Sequence, residues 1–470
     1  MYQSSKILYL LLFLALLSLI PNLGVYEFKN EESLRTIIAY EMQASGNYIQ
    51  PTYLGEEYYK KPPLFTWLTL FSAQLTGWNE LAPRIPSLIS YVLTSIFVFL
   101  VAKSLFGSRR IALLASLIYV STIEMMFFYG FIGEIDATFS LSIFLVLACL
   151  LLVFEKDQLK WLIPAGLFTA MAFMLKGFPA FIFFGATFIT LLIVYKKYNL
   201  LRRWQLYLSI GLSLILPMLW LTNTNDPNMS FNTLFMESAD RTRSSVNLPE
   251  LITHFFTFPI QSFIKLLPGS LFLVLPFLLF VVKRNSIYLK NDKFEMEFVI
   301  KVILLVTLIN FLPYWLSTGA RVRYILPLLP LLSIVTAYVL IKYTTDLFIK
   351  RLVQTIITVI SLRFALGILI LPLAMDQRNL TNSDKRVAEN IQEIIDVKNS
   401  NIACDCFAKK SVCLYLGINN QQILKTSNKT HDPEYLISCD SNSENYQYLL
   451  LKEYPSRKNN IFLYQIAHVQ

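Results

Sequence analysis

Residues 26–86 contain the runs Tyr40-Glu41-Met42-Gln43-Ala44-Ser45-Gly46-Asn47-Tyr48-Ile49-Gln50-Pro51 and Tyr58-Tyr59-Lys60-Lys61-Pro62-Pro63-Leu64. The adjacent acids Glu31-Glu32 and the basic element Pro83-Arg84-Ile85-Pro86 lie in the same stretch. One apolar segment precedes this stretch and many follow it. Charged residues are therefore concentrated in one loop of a strongly apolar chain. We interpret the rest of the chain as the scaffold that holds this loop at a membrane surface.

The composition is that of a membrane protein. Of the 470 residues, 55% are hydrophobic and only 15% are charged, against about 25% charged in soluble domains. Apolar runs of about 20 residues recur, and each is long enough to cross a hydrocarbon core of about 30 Å. The net charge of +10 falls largely in short loops between these runs, where Lys and Arg fix topology. The charge therefore does not indicate a nucleic-acid partner.

The apolar runs predict an all-α polytopic bundle of about eleven transmembrane helices. The first is expected to be a retained span, because no small-residue cleavage site follows it. The span at 270–282 is short, and we expect it to begin earlier, near Phe263. The predicted spans are 7–25, 87–106, 111–128, 137–154, 161–175, 178–195, 205–222, 270–282, 299–316, 324–342 and 354–374.

The loops between the spans predict the orientation. Basic residues recur in alternate loops, which the positive-inside rule assigns to the cytoplasm. These residues are Lys6, Lys103, Arg109, Arg110, Lys196, Lys197, Arg202, Arg203, Lys283, Arg284, Lys290, Lys293, Lys342, Lys350 and Arg351. The amino terminus is then cytoplasmic, whereas loop 26–86 and the tail from residue 375 lie outside. We predict a transmembrane domain at 1–374 and an extracytoplasmic α/β domain at 375–470.

Two segments of the first outer loop, 31–43 and 64–77, have the pattern of amphipathic helices that lie in the membrane interface. The tail predicts a helix from Asp384 to Val397. Short apolar runs bounded by Asn and Ser predict strands, and these runs are Asn401 to Cys404, Tyr435 to Ser438, Tyr446 to Leu451 and Ile461 to Ile466. If the tail is outside the cytoplasm, its four cysteines predict one or two disulfides, and Cys149 is expected to be inert packing in a span. The four tail cysteines are Cys404, Cys406, Cys413 and Cys439.

The acids and bases of the first loop are candidate catalytic residues. Glu31 and Glu32 could act as a general base, bind a metal or bind an amino sugar; alternatively, they are an acidic helix start, which the helix dipole favours. Lys60 and Lys61 could bind phosphate or hold anionic lipid head groups.

Further candidates lie at the outer ends of later spans. Asp136, at the start of the fourth span, is catalytic or caps the helix, and Lys176 binds the substrate or only snorkels to the interface. Arg321 and Arg323 depart from the usual charge bias of outer loops, which favours phosphate or carboxylate binding. Arg363 lies within the eleventh span, where an unpaired charge is costly, and no role is assigned to it from the sequence.

Several chemistries lack their sequence signals. The chain has no phosphate-binding Gly-rich loop, no dinucleotide fingerprint and no zinc motif. Its only histidines are His254, His431 and His468, which excludes a histidine-rich site. His254 is expected to be an ordinary surface residue.

The order of these motifs resembles the first outer loop of bacterial GT-C membrane glycosyltransferases. The resembling order is Glu31-Glu32, then the run at 41–51, then Tyr59-Lys60-Lys61-Pro62-Pro63-Leu64, and it continues at 133–136, 175–179 and 323–327. This group includes the lipid A 4-amino-4-deoxy-L-arabinose transferases and is related to the protein O-mannosyltransferases. The resemblance covers about residues 1–345.

The resemblance implies a polyprenyl-phosphate sugar donor, transfer on the periplasmic face and inversion at the anomeric carbon. It implies that Glu31 stands where the family has its key Asp. It also implies that Lys61, Lys176, Arg321 and Arg323 hold the donor phosphate. Cations stabilise the charge that grows on this leaving group. As predicted site residues we take the catalytic acids Glu31, Glu32 and Asp136, and the donor-phosphate ligands Lys60, Lys61, Arg84, Lys176, Arg321, Arg323 and Tyr324.

The sequence departs from the family pattern at two places. The family usually has Asp-Glu where this chain has Glu31-Glu32, and lipid A transferases tend to have an acid where this chain has Lys60. That acid can be a metal ligand in relatives. We therefore predict no metal ligand and expect Lys60 to supply a fixed positive charge, with a bound divalent metal as the alternative.

The resulting prediction is an enzyme of the bacterial inner membrane. It would transfer a sugar from a polyprenyl phosphate of the undecaprenyl type to lipid A or another envelope acceptor, with membrane lipids as its surroundings. One alternative is a transporter or flippase of polyprenyl-linked sugars, although transporters place ionisable groups near the bilayer middle and only Arg363 fits that pattern. The other alternative is a protein O-glycosyltransferase with the same fold.

Overall fold

The structure, a computed structural model, describes residues 5–240, 247–281, 288–290, 296–374, 383–441, 448–455 and 459–466. Its amino-terminal part is a bundle of helices. The helices as far as residue 222 are α1 (Ser5–Leu17), α2 (Asn30–Ser45), α3 (Leu64–Thr76), α4 (Leu81–Phe106), α5 (Arg109–Val120), α6 (Ile135–Lys156), α7 (Leu162–Lys176), α8 (Pro179–Tyr195) and α9 (Trp204–Thr222). They are followed by α10 (Pro227–Asp240), α11 (Leu248–Lys265), α12 (Gly269–Val281), α13 (Phe298–Trp315), α14 (Leu329–Tyr343) and α15 (Asp346–Ala365).

Each of the eleven predicted spans overlaps helical structure, but the helices differ in their capacity to cross a membrane. In the described part of the chain, seven helical segments are long and apolar enough to span, and a bent pair would make eight. That pair is α11 and α12, which are bent by 110°, so the span at 270–282 does not extend straight back to Phe263. Two further helices, α1 and α8, are apolar but shorter. The number of eleven spans stays a prediction.

The helix α6 is the centre of the bundle. The most apolar stretch of α6 is completely buried, whereas the corresponding stretch of α9 is mostly exposed. Helix α6 packs closely against α4, α7 and α8. Since α6 and α7 run in opposite directions, the first residues of α6 lie beside the last residues of α7, and this end of the bundle also receives the first loop.

The two helices predicted in the first loop are present as α2 and α3, and a short antiparallel hairpin, β1 (Thr52–Tyr53) and β2 (Glu56–Glu57), lies between them. A capping box starts α2, because the Glu32 carboxylate accepts a hydrogen bond of 2.9 Å from the Lys29 amide. Gly46, in the left-handed region at φ 71°, ends it. The central part of α2 is almost entirely buried. It is therefore an internal support of the loop, with little surface left to lie on a membrane.

The C-terminal region, by which we mean the described residues from 383 to 466, is a small α/β unit. It contains α16 (Asp384–Ile394), α17 (Lys410–Asn420), β3 (Ile402–Cys404), β4 (Tyr435–Ser438), β5 (Tyr448–Tyr454) and β6 (Ile461–Ile466). The strand order is β3-β4-β6-β5, with β3 and β4 parallel and the other pairs antiparallel. The predicted helix and the four predicted strands are confirmed to within a few residues, but α17 was not predicted.

The tail cysteines form two disulfides, Cys404–Cys413 and Cys406–Cys439. The first ties β3 to α17. As predicted, Cys149 is buried and carries no disulfide. The C-terminal region shares a hydrophobic core with residues Phe28, Ile37 and Leu54 of the first loop, so it packs directly on that loop.

Candidate active site

A polar cavity of about 330 Å³ opens where the first loop meets the ends of α6 and α7. Six of the ten predicted site residues line it, together with three residues that were not predicted. The predicted residues are Glu31, Lys61, Asp136, Lys176, Arg323 and Tyr324, and the others are Arg35, Glu134 and Ile135. The structure thus brings together side chains that are almost 300 positions apart in the sequence.

Asp136 and Lys176 form a buried ion pair in the wall of the cavity. The Lys176 Nζ lies 2.6 Å from an Asp136 carboxylate oxygen, and both residues are more than 90% buried. Asp136 lies in the first turn of α6 and Lys176 in the last turn of α7, the two ends where the helix dipoles favour an acid and a base. The Lys176 Nζ also lies 4.9 Å from the centre of the Phe139 ring. The pair is therefore held in one place by both helices.

Glu134 and Arg323 form a second acid–base pair. The Arg323 Nη1 lies 3.6 Å from the Glu134 carboxylate. The Arg323 Nε is buried and has no hydrogen-bond partner among the described residues. Burial and the nearby Asp136 carboxylate raise the pKa of Glu134 to about 7. Glu134 can therefore gain or lose a proton near neutral pH.

Lys61 is held at the cavity by the end of the first loop. It is followed by Pro62 and Pro63, after which α3 begins. Its Nζ donates a hydrogen bond of 3.1 Å to the Lys60 carbonyl oxygen and forms an ion pair with Glu237 of α10. Only 8% of Lys61 is exposed. The ammonium group is therefore directed inward, as the phosphate-binding prediction requires.

Glu31 lies at the mouth of the cavity. Its carboxylate is 3.4 Å from Arg35 Nη2, and 40% of its side chain is exposed. Arg35 also donates a hydrogen bond of 3.1 Å to the Tyr58 hydroxyl. Of the cavity carboxylates, Glu31 is thus well placed to meet a molecule that arrives from outside.

A second, largely apolar cavity of about 600 Å³ adjoins the polar one. The two cavities share Lys176 and Tyr324. Apolar side chains of α6, α8 and α13 form most of the remaining lining, namely Phe139, Pro179, Ile182, Phe183, Ala186, Ile309 and Pro313. A ligand with a charged head and an apolar chain would fit across the boundary.

Glu32 and Arg84 do not line the cavity, and their predicted catalytic and phosphate-binding roles stay predictions. The Glu32 carboxylate is fully buried and accepts hydrogen bonds from Arg84 Nε at 2.8 Å, from Arg84 Nη2 at 3.0 Å and from the Gly133 amide at 2.7 Å. Arg84 also donates to the carbonyl oxygens of Leu23 and Glu27. All of these partners are groups of the protein itself. They fasten α2 to α4 and to the turn before α6, a structural role.

Lys60 and Arg321 are also absent from the lining of the cavity. Both side chains are exposed. Lys60 contributes its carbonyl oxygen to Lys61, and the Arg321 carbonyl oxygen accepts a hydrogen bond of 2.9 Å from the Tyr324 amide. Of the predicted arginine pair, therefore, only Arg323 faces the site.

Arg363, which the sequence left without a role, has partners inside the bundle. Its Nε donates a hydrogen bond of 2.9 Å to the Met126 carbonyl oxygen. The guanidinium carbon lies 4.8 Å from the centre of the Phe131 ring and 5.6 Å from that of Phe127. Met126 and Phe127 belong to a π-helical turn, Met125–Tyr129, where backbone groups seek other partners. The charge is thus accommodated by packing and lies outside both cavities.

Sequence reasoning missed Arg35, Glu134 and Glu237. Only Glu134 had a usable signal, because it lies two residues before Asp136 at the start of a span. Arg35 has the pattern of an ordinary helix residue, and Glu237 lies in α10, a segment that carries no motif. Among the described residues, no group of three or more His, Cys, Asp or Glu side chains is arranged to hold a metal ion.

Comparison with known proteins gives one family and a set of relatives. Residues 60–221 match the family described as dolichyl-phosphate-mannose-protein mannosyltransferase. The chain is 32% identical over 184 residues to the undecaprenyl phosphate-alpha-4-amino-4-deoxy-L-arabinose arabinosyl transferase 2 of Proteus mirabilis. The matched residues are 38% of this chain and 33% of that protein. The chain is also 32% identical over 175 residues to the corresponding transferase of Yersinia enterocolitica, covering 36% and 31% of the two chains. The chain therefore matches only about a third of the length of these relatives.

The fold is shared over nearly the whole chain. The crystal structure of ArnT from Cupriavidus metallidurans bound to undecaprenyl phosphate superposes with a TM-score of 0.71 over 98% of this chain and 97% of that one, at 15% identity. The same protein in the apo state gives a TM-score of 0.72 at 14% identity. The chain is a multi-pass membrane protein with the fold of these ArnT structures.

Proposed function

We propose that the chain is a glycosyltransferase that transfers a sugar from a polyprenyl-phosphate donor to lipid A or another envelope acceptor. One observation carries the proposal: a polar cavity lined by Lys61, Lys176 and Arg323 adjoins an apolar cavity and shares Lys176 and Tyr324 with it. A lipid phosphate has the same two parts, a charged head and an apolar chain. The names of the matched relatives, which include undecaprenyl phosphate, support this choice of donor.

We assign the two ends of the donor to the two cavities. Its isoprenoid chain lies along the apolar cavity between α6, α8 and α13. Its phosphate lies at the boundary, within reach of Lys176 and Arg323, with Lys61 on the side of the first loop. Arginine suits a phosphate because its fork donates two parallel hydrogen bonds, and lysine adds a compact charge. The sugar then occupies the polar cavity, among the carboxylates.

Transfer is a single displacement. The acceptor oxygen forms a bond to the anomeric carbon while the bond from that carbon to the phosphate oxygen breaks, and the electron pair leaves with the phosphate. One displacement inverts the anomeric centre. The cations stabilise the charge that grows on the leaving phosphate, and in a cavity with little water such stabilisation is large.

The need for a base depends on the acceptor. A phosphate acceptor is already an anion and needs none, so Glu31 then orients the acceptor or an amino group of the sugar. A hydroxyl acceptor must lose its proton, and Glu31 is the proposed base because it lies at the open mouth. Glu134 is a second candidate, since its raised pKa makes its carboxylate a better proton acceptor.

We place the reaction on the periplasmic face of the bacterial inner membrane. The basic loops favour a cytoplasmic amino terminus. The disulfides Cys404–Cys413 and Cys406–Cys439 suit a C-terminal region outside the cytoplasm. We propose the division into a transmembrane domain at 1–374, with the catalytic loop at 26–86, and a periplasmic domain at 375–470.

A protein acceptor is the second candidate function. The match of residues 60–221 to the protein mannosyltransferase family favours it, and the two functions share the donor and differ in the acceptor. The sequence argument for a transporter was that Arg363 is an ionisable group near the bilayer middle. Arg363 packs against Met126, Phe127 and Phe131 and lines neither cavity, so it no longer supports this alternative.

The test has a cellular and a purified part. Mass spectrometry of lipid A and other envelope glycans, from cells with and without the protein, identifies the acceptor as the species that loses a sugar. With purified protein in liposomes, transfer of labelled sugar is measured against its movement across the bilayer. We expect transfer by the wild type and its loss in Glu31→Gln, with folding intact. Movement without transfer would contradict the proposal, and near-normal transfer by Glu31→Gln would remove Glu31 from the mechanism.

A further inference from the structure

A third cavity, of about 240 Å³, lies where the C-terminal region docks on the first loop. The first loop contributes Tyr40 and Glu41 to its wall, together with Ile37 and Leu54, and the C-terminal region contributes residues of α17 and of the segment 422–424. None of these residues lines either of the other two cavities. The third cavity therefore belongs to the joint between two parts of the protein, a place where small-molecule sites often form.

Glu41 supplies the charge of this cavity. Among the described residues that line it, Glu41 alone is charged, and only 2% of this residue is exposed. Its carboxylate oxygen Oε2 accepts hydrogen bonds of 2.6 Å from the Thr52 hydroxyl and of 3.4 Å from the Gly55 amide, two groups of the β1–β2 hairpin. The hairpin therefore holds the carboxylate in the cavity wall.

The other oxygen of the same carboxylate is left unsatisfied. Glu41 Oε1 is buried and has no hydrogen-bond partner in the part of the chain that the structure describes. Burial raises the pKa of the Glu41 carboxyl, although hydrogen bonds and the charge of Lys425 oppose this rise. Lys425 itself is exposed and does not line the cavity. Since a buried carboxylate without a partner is costly, a cation in the cavity would bind favourably.

The rest of the wall limits the chemistry of an occupant. Most of it is apolar, and its two other polar side chains direct donors to the protein itself. The Tyr40 hydroxyl donates a hydrogen bond of 3.3 Å to the Gly417 carbonyl oxygen, and Gln422 Nε2 donates one of 2.6 Å to that of Lys398. The complement of an anionic acceptor in an apolar wall is a positively charged donor on an apolar body. The volume also exceeds the roughly 30 Å³ that one water molecule takes.

We propose that the Glu41 cavity binds a small molecule with a primary ammonium group on an apolar body, and that this ammonium group pairs with the Glu41 carboxylate. The cavity is separate from the one to which we assign sugar transfer, so the inference goes beyond the proposed function and does not depend on it. An occupant contacts both the first loop and the C-terminal region. Its binding therefore stabilises the docking of these two parts.

The experiment measures binding of n-butylammonium to the full-length protein by isothermal titration calorimetry, in nanodiscs of phosphatidylcholine, a lipid whose head group has no N–H donor. The probe without charge is n-butanol, and the probe without an N–H donor is tetramethylammonium. Glu41→Gln keeps the shape of the side chain and removes its charge. Ile423→Trp fills the cavity from a half-buried position of its wall and leaves Glu41 in place.

Glu56→Gln is the matched control. Glu56 is an acid of the same joint, because its carboxylate accepts a hydrogen bond of 3.0 Å from the Thr426 hydroxyl of the C-terminal region. It does not line the cavity. The control therefore receives the same substitution at the same joint without a change in the proposed site.

We expect the wild type to bind n-butylammonium and Glu41→Gln to bind it about tenfold more weakly or less, the loss typical of a hydrogen bond to a charged group. Ile423→Trp should lose binding to a similar extent, because it removes the space, and Glu56→Gln should bind like the wild type. Both n-butanol and tetramethylammonium should bind at least about tenfold more weakly than n-butylammonium. Saturating n-butylammonium should raise the melting temperature of the wild type and leave that of Glu41→Gln unchanged.

A free amine and an aminated lipid head group offer the same chemistry, and nanodiscs that contain phosphatidylethanolamine separate them. Weaker binding of n-butylammonium in these nanodiscs assigns the site to the head group, and unchanged binding assigns it to a free amine.

The inference is overturned if the wild type does not bind n-butylammonium, if Glu41→Gln or Ile423→Trp binds it as tightly as the wild type, or if n-butanol binds equally well. An equal loss in Glu56→Gln would also contradict it, because any loosening of the joint would then remove binding. If Glu41→Gln lowers the midpoint of unfolding, Ile423→Trp decides, since it keeps the hydrogen bonds between Glu41 and the hairpin. Absence of sugar transfer would refute the proposed function and leave this inference standing.

Discussion

The buried pair of Glu32 and Arg84 offers a sharp test of the structural reasoning. Arg84→Met removes the guanidinium and keeps much of the side-chain volume. The Glu32 carboxylate then loses two of its four donors, Arg84 Nε at 2.8 Å and Nη2 at 3.0 Å. The amides of Lys29 and Gly133 remain, at 2.9 and 2.7 Å. Only 1% of Arg84 and none of Glu32 is exposed, so water cannot replace the lost donors.

Two estimates of the loss agree. Removal of one partner from a buried ion pair costs about 3–5 kcal/mol. Two hydrogen bonds to a charged group, at about 1.5–3 kcal/mol each, give about 3–6 kcal/mol. Since two backbone donors stay with Glu32, we expect a loss of about 3 kcal/mol in the free energy of unfolding. In the double variant with Glu32→Gln the buried charge is gone as well, so the loss should be smaller than the sum of the single losses by at least about 1 kcal/mol.

Unfolding of the purified protein in detergent, followed by tryptophan fluorescence during denaturant titration, measures these differences. Arg110→Met is the control, because the ion pair of Arg110 with Asp346 is largely exposed and should contribute less than about 1 kcal/mol. A loss in Arg84→Met no larger than in this control would refute the structural role. If such a stable Arg84→Met variant had also lost transfer, the original phosphate-binding prediction would be restored.

The remaining predictions concern the cavity. The rate of transfer should rise between about pH 6 and pH 8, because the Glu134 carboxyl, with a pKa of about 7, changes from about 10% to about 90% ionised over this range. In Glu134→Gln this rise should disappear. A rise that persists in the variant would exclude Glu134 as its source. Lys176→Gln leaves Asp136 without its ammonium partner and removes a residue that binds the donor phosphate, so binding of polyprenyl phosphate should weaken about tenfold or more. Lys176→Arg should keep most of this binding. Equal binding by the wild type and Lys176→Gln would contradict the phosphate site. Gly133→Ala places a Cβ 2.5 Å from a side-chain atom of Pro83, so it should destabilise the protein by about 1–3 kcal/mol in the same unfolding titration, and an unchanged midpoint would show that the turn before α6 can shift.

The distribution of apolar residues was sufficient to predict the long apolar helices, whereas α10 (Pro227–Asp240) and α11 (Leu248–Lys265) were not predicted. Burial of an apolar run of about 20 residues in lipid needs no partner from elsewhere in the chain, because a helix satisfies its own backbone. Helical periodicity is also a local property, so α2 and α3 could be predicted from it, with the Pro-Pro start of α3 as a further signal. In the C-terminal region, the helix Asp384–Ile394 and the four strands also followed from local pattern.

The site could be predicted only in part. Motif resemblance identified Lys61, Asp136 and Lys176, each of which lies at the cavity. It assigned the key acid position to Glu31 but still counted Glu32 as catalytic, because neighbouring residues on a helix point about 100° apart and only the packing of α2 decides which of them lines the cavity. The tertiary structure turned Glu32 toward Arg84 and left Glu31 at the mouth.

The sequence by itself determined that this protein is a helical membrane bundle with its charges concentrated in one loop, since hydrophobicity and helical periodicity are local properties. Only the tertiary structure decided which charges meet. The pairs Lys61–Glu237 and Arg323–Glu134 join positions nearly 200 residues apart. Such contacts arise from the packing of whole elements, which no local pattern records.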